Sequence, residues 1–119
     1  MDCVRFNYLY RDGANFKRWG EVLFSNPKEI SLKNIEARLL RAFLPDGQFI
    51  AGQIGIPEVF LFRASKMTAY DHCFHEFDSV EFCQETPTDA YNRSIDMFLA
   101  DVEKTALKGW IAFDIAVLL

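Results

Sequence analysis

The only two histidines of the chain, His72 and His75, stand three residues apart, with Asp71 before the first and Glu76 after the second. Neutral imidazole binds metal ions and carries protons near neutral pH, and a neighbouring carboxylate can orient the ring or move its proton. Asp71, His72, His75 and Glu76 are therefore the candidates for acid and base catalysis, and His72 and His75 are the candidate metal ligands. Backbone geometry limits this reading. On a strand the two imidazoles point to opposite faces, and the strand-like composition from Phe74 onward disfavours a helical turn that would bring Asp71 to His75 and His72 to Glu76. A turn at Asp71 to Cys73 would still fold His72 back. The bland alternative is a pair of structural histidines near the start of a strand.

A second group lies between Arg11 and Trp19. Arg11, Asn15, Lys17, Arg18 and Trp19, with Phe16 and Gly13 among them, combine cations, flat rings and a glycine. Anion or base recognition uses charge for phosphate, a ring for stacking and backbone amides for orientation. No phosphate-cradling glycine pattern accompanies them. The same composition suits a loop whose aromatic residues anchor it while Lys17 and Arg18 stay solvated.

Nucleophilic chemistry has less support. The three cysteines, Cys3, Cys73 and Cys83, read as free, buried thiols with no activating context. A continuous strand from Cys73 to Cys83 would separate those two by roughly 33 Å, beyond disulfide reach. Ser31 and Ser94 read as helix caps, and Glu81, Glu85 and Asp89 as a solvated acidic rim.

These residues are carried by one α+β domain over residues 1–119, a mainly antiparallel sheet packed by two helices. Half of the residues are hydrophobic and twelve are Phe, which supplies a core and excludes disorder. Val4, Phe6, Tyr8 and Tyr10 alternate with Arg5, Asn7, Leu9 and Arg11, the pattern of a half-buried strand. A loop of about nine residues leads to a second strand from Gly20 to Ser25. Leu32, Ile35, Leu39, Ala42 and Phe43 recur at helical spacing and predict a helix over 31–44. Phe49 to Ala51 reads as a short strand, Val59 to Phe62 as a strand or packed loop, and Arg63 to Asp71 as an exposed excursion. His75 to Cys83 favours a strand, with a bulge at Asp78-Ser79 needed to bring both Phe77 and Val80 to the core. Ile95, Phe98, Leu99, Val102 and Ala106 predict a second helix over 94–108, ended by Gly109 in a left-handed cap. The tail alternates apolar residues on both faces up to Leu119. It reads as a strand whose Trp110, Ile111, Phe113, Ile115 and Val117 would be buried or paired with another chain.

Tyr8-Leu9-Tyr10-Arg11-Asp12, Asn15-Phe16-Lys17, Gly20 to Asn26, Ile54-Gly55-Ile56-Pro57 and Asp71-His72-Cys73-Phe74-His75-Glu76-Phe77 resemble a group of small, functionally uncharacterised bacterial proteins. The resemblance runs from Phe6 to Leu99 and implies a whole natural domain, without bringing an activity with it.

A formal charge of −4 argues against duplex nucleic acid as a partner. The apolar runs fall short of the roughly 20 residues a membrane span needs, and the N-terminus lacks a signal-peptide pattern. The expectation is a cytoplasmic, non-catalytic binding or interaction module with no cofactor. It would recognise an anionic or nucleotide-like ligand or a protein partner, and self-associate into a homo-oligomer through the tail. The alternative is a small metal-dependent or acid/base hydrolase centred on Asp71, His72, His75 and Glu76.

Overall fold

The computed structural model describes residues 3–63 and 66–118. The alternation read from the N-terminus builds the central strand, β1 (Cys3–Arg11), in which Val4, Phe6, Tyr8 and Tyr10 are buried on the core side. It pairs antiparallel with β2 (Lys17–Ser25) on one side. On its other side it meets a nine-residue strand near the C-terminal half. The two-residue β3 (Gln48–Phe49) and that strand, β4 (His75–Cys83), complete an antiparallel sheet of order β2-β1-β4-β3.

Two helices cover the core face. α1 (Leu32–Ala42) starts at Ser31, whose hydroxyl accepts the Asn34 amide, and buries Ile35 and Leu39. It stops two residues before the predicted end because Pro45 holds Leu44 extended. α2 (Ile95–Lys108) follows Ser94 and buries Ile95, Phe98, Leu99 and Val102. Arg38 of α1 donates twice to the Glu103 carboxylate of α2, at 3.0 and 2.5 Å. Phe6 lies between sheet and helices, with ring centroids of Phe43, Phe49, Phe77 and Phe98 at 5.3 to 6.3 Å. The expected bulge is present at Asp78: Asn7 faces Ser79 and Tyr8 faces Phe77, so Phe77 and Val80 both pack on the core.

Several expectations are corrected. The first hairpin loop is five residues, Asp12 to Phe16, because cross-strand pairing of Lys17, Arg18 and Trp19 with Arg11, Tyr10 and Leu9 extends β2 beyond its apolar part. Gly20 interrupts β2 without breaking it, since the ring of Tyr8 lies against the space its side chain would occupy. A Cβ at Gly20 would sit 2.8 Å from Cζ of Tyr8, whose own hydroxyl is fixed by donation to the Pro57 carbonyl. Gly20→Val should therefore cost about 1–3 kcal/mol in urea unfolding; a midpoint equal to that of the wild type would contradict this packing.

The tail is not a strand. It is irregular from Gly109 and ends in a 3-10 turn, Ile115–Leu118. Trp110 donates to the Ala42 carbonyl, and Trp110, Phe113 and Ile115 pack on a second cluster containing Tyr10, Ile50, Phe60, Phe62 and Cys73. Of the five expected interface residues, only Ile111 and Val117 are exposed. Trp110, Phe113 and Ile115 thus take the buried alternative within the chain, while Ile111 and Val117 stay open. Leu119 lies outside the described residues. Gly109 has a positive φ of 104° with ψ 139°, a glycine conformation outside the left-handed helical region, so the expected left-handed cap does not form. The segment from Val59 packs as loop before a 3-10 turn at Leu61–Arg63, and Lys66 to Tyr70 are mostly exposed as expected, with 64 and 65 outside the described residues.

The cysteine reading changes most. Cys3 faces Cys83 across the β1–β4 pair at a Cα separation of 4.9 Å, and their sulfurs are bonded at 2.17 Å. Distance along the chain had excluded only Cys73 as a partner for Cys83. The sheet register brings Cys83 to the opposite end of the sequence instead. Cys73 is a buried free thiol, as expected. Among the described residues, no helix is long and apolar enough to cross a membrane.

Candidate functional site

The ends of β1 and the approach to β4 bring the first candidate residues together. The Tyr10 hydroxyl donates to Asp71 Oδ1 at 2.7 Å and accepts the His72 amide at 3.1 Å. Burial, reinforced by the Asp71 carboxylate, pushes the Tyr10 phenol well above its ordinary value, so it stays a donor. His72 Nδ1 accepts the Phe74 amide at 3.0 Å, which leaves the proton on Nε2. Nε2 lies 2.7 Å from the Arg11 carbonyl and donates to it. His75 begins β4 and is 1% exposed; its Nε2 accepts the Val59 amide at 2.9 Å. Glu76 Oε1 receives Nε and Nη2 of Arg11 at 2.8 and 2.7 Å.

The first hairpin and the Asp71 to Glu76 segment thus share a small cleft of about 180 Å³, lined by Arg11, Gln48, His72, His75 and Glu76 among others. His72 faces the hairpin across it. The arrangement fastens three pieces of backbone together: both nitrogens of His72, Nε2 of His75 and the bonded oxygens of Asp71 and Glu76 answer protein groups. Among the described residues, no three His, Cys, Asp or Glu side chains converge as a metal ion would require.

The second group does not converge either. Arg11 turns toward Glu76 and also donates to Asn15 Oδ1 at 2.5 Å. Arg18 reaches the Phe60 carbonyl on the core side at 3.3 Å, while Trp19, 57% exposed, lies on the open face of the sheet with Arg5, Asn7 and Glu21. Strand alternation splits Lys17 and Trp19 from Arg18, so the five residues form no single ligand site.

A wider cleft forms where the sequence showed no candidate. The loop Gly52 to Gly55 and the outer face of α2 bound a space of about 470 Å³, whose lining includes Tyr91, Arg93, Lys104 and Lys108. Gly55 has φ 69°, and a Cβ there would lie 3.0 Å from the Tyr91 ring and 3.4 Å from Nη2 of Arg93. Its missing side chain lets both groups close over the loop. Arg93 is the buried hub. Nε and Nη2 donate to the two Asp89 oxygens at 2.9 and 3.0 Å, Nη1 to the Ile54 carbonyl at 2.8 Å, and Nη2 to the Gly55 carbonyl at 3.2 Å. Asp101 Oδ2 adds a contact at 3.2 Å. Tyr91, 68% exposed, presents its ring 5.3 Å from the guanidinium carbon.

Asp89 therefore leaves the solvated rim to which the sequence assigned it. Burial alone would raise its carboxyl, but the Arg93 hydrogen bonds outweigh this and hold it below its ordinary value. Glu81 and Glu85 are exposed, yet they and Glu21 all meet Arg5 on the open face. The signals that could have drawn attention to the wide cleft are Asp89 and Arg93 four residues apart ahead of a helix cap, Lys104 and Lys108 one turn apart, and glycines at 52 and 55.

Comparison with protein-family models, curated proteins and solved structures gives no match for this chain.

Proposed function

We propose that the protein is a non-catalytic binding module that takes a small polyanion, such as a nucleotide or pyrophosphate, in the cleft between the Gly52–Gly55 loop and α2. The observation carrying this reading is the pairing of Lys104 and Lys108 with the exposed Tyr91 ring around a space of about 470 Å³. That volume suits a small molecule. Neither lysine forms an ion pair among the described residues, so both ammonium groups are available to phosphate oxygens. Tyr91 offers a face for a base or sugar, braced from behind by Arg93. Asp101 on the same wall would repel an anion placed against it, which favours a ligand lying toward the Lys104–Lys108 side. The hydrolase alternative, centred on Asp71, His72, His75 and Glu76, brings His72, His75 and Glu76 to one cleft, with both nitrogens of His72, Nε2 of His75 and Oε1 of Glu76 bonded to protein groups.

A thermal-shift series with pyrophosphate, ATP and GTP tests the reading. Ligand at a hundred times its dissociation constant should stabilise the fold by about 2.7 kcal/mol. The double variant Lys104→Ala/Lys108→Ala should melt like the wild type alone and lose that shift. Equal shifts in both proteins, or none in either at millimolar ligand, would overturn the proposal.

A further inference from the structure

β2 is an edge strand of the sheet, and among the described residues backbone bonds cover its outer side at one end. There the Leu23 amide donates to the Thr88 hydroxyl at 3.0 Å and the Leu23 carbonyl accepts the Thr88 amide at 2.9 Å. Both Leu23 groups thus point away from β1. At the other end, the Phe16 carbonyl points inward and accepts the Asp12 amide. The β1–β2 register runs without a shift between these points. In an antiparallel pair, inward and outward residues alternate, so Lys17, Trp19 and Glu21 turn their amides and carbonyls outward. Their side chains share the open face with Arg5, Asn7 and Leu9. An open edge with exposed Phe16 and Trp19 beside it is a template for another strand.

We propose that this edge pairs with the same edge of a second copy, antiparallel and centred on Trp19, joining two four-stranded sheets into one. The edge is self-complementary in that register alone. Trp19 meets Trp19, and Lys17 of each copy stands directly opposite Glu21 of the other, on one face. All three outward positions then fall into hydrogen-bonded pairs, giving about six backbone bonds across the axis. Stacked indoles and two opposite-charge pairs add to them. Glu21 keeps its contact with Arg5 at 2.7 Å, which fixes its carboxylate on the face where Lys17 arrives. A shift of two residues either way breaks the match, setting Lys17 against Trp19 or Trp19 against Glu21. The chain's self-association is thereby placed on β2 rather than on the tail, whose Trp110, Phe113 and Ile115 are used internally.

Sedimentation velocity over a concentration series, on the full chain, should show a monomer–dimer equilibrium. Lys17→Glu puts like charges opposite each other twice and should weaken the dimer about tenfold or more. The charge swap Lys17→Glu/Glu21→Lys should restore the dimer, as only a Trp19-centred register sets these two positions opposite each other. A wild-type protein that sediments as a monomer at every concentration would overturn the proposal, as would a dimer indifferent to Lys17→Glu or one that the swap does not restore.

Discussion

Replacing Arg93 with Met is expected to lower the unfolding free energy by about 3–5 kcal/mol, because it removes one partner of a buried ion pair and leaves the other. Asp89 and Arg93 are each about 6% exposed. Without the guanidinium, Asp89 keeps a buried charge with no counterion, and the Ile54 and Gly55 carbonyls lose their donor. Arg93→Met/Asp89→Leu should recover much of the loss, since it removes both charges together. Urea unfolding of the three variants checks this, and a single-variant loss under 1 kcal/mol would contradict a structural role for the pair. The pair also sets a pH dependence. The folded pKa of Asp89 is depressed, so its contribution is fully present above the ordinary carboxylate value of 3.8 and is lost as pH falls through the folded value. Arg93→Met should flatten that acid limb.

Opening the Cys3–Cys83 bond is the second large effect. The bond joins residues 80 apart in sequence, for which loop-closure entropy gives about 4.5 kcal/mol, with measured losses commonly about 2–4 kcal/mol. For a chain of this size, reduction should lower the melting temperature by about 10 °C or more. Cys3→Ser/Cys83→Ser should melt at the reduced temperature and ignore reductant. Identical melts of the wild type with and without reductant would contradict the pairing. Under reducing conditions the pair would be a dithiol, held side by side by the register and ready to close on oxidation.

The elements were legible wherever one face of a strand or helix is buried. Val4 to Tyr10 and Leu32 to Phe43 follow their periods because each lays one stripe on the core. The bulge at Asp78 was legible too, since Phe77 and Val80 have opposite parity and both are apolar. The tail misled because alternation is evidence of a strand only where a neighbour supplies hydrogen bonds. Here the apolar side chains cap a second cluster under Tyr10 instead. The disulfide and the wide cleft share another cause. Both join residues far apart in sequence: Cys3 with Cys83, and Gly55 with Tyr91, Arg93 and Lys104. Local spacing carries no signal for such pairings, which sheet register and loop packing decide. His72 and His75, clustered by type, hydrogen-bond the Arg11 carbonyl and the Phe74 and Val59 amides.

The central claim, a polyanion site between the Gly52–Gly55 loop and α2, is tested most directly by amide chemical shifts of the full chain titrated with pyrophosphate. The account predicts saturable shifts confined to residues 52–55, 91–93 and 101–108, abolished in Lys104→Ala/Lys108→Ala. Saturable shifts centred instead on residues 11–19 or 71–76, or no shifts at all, would contradict it.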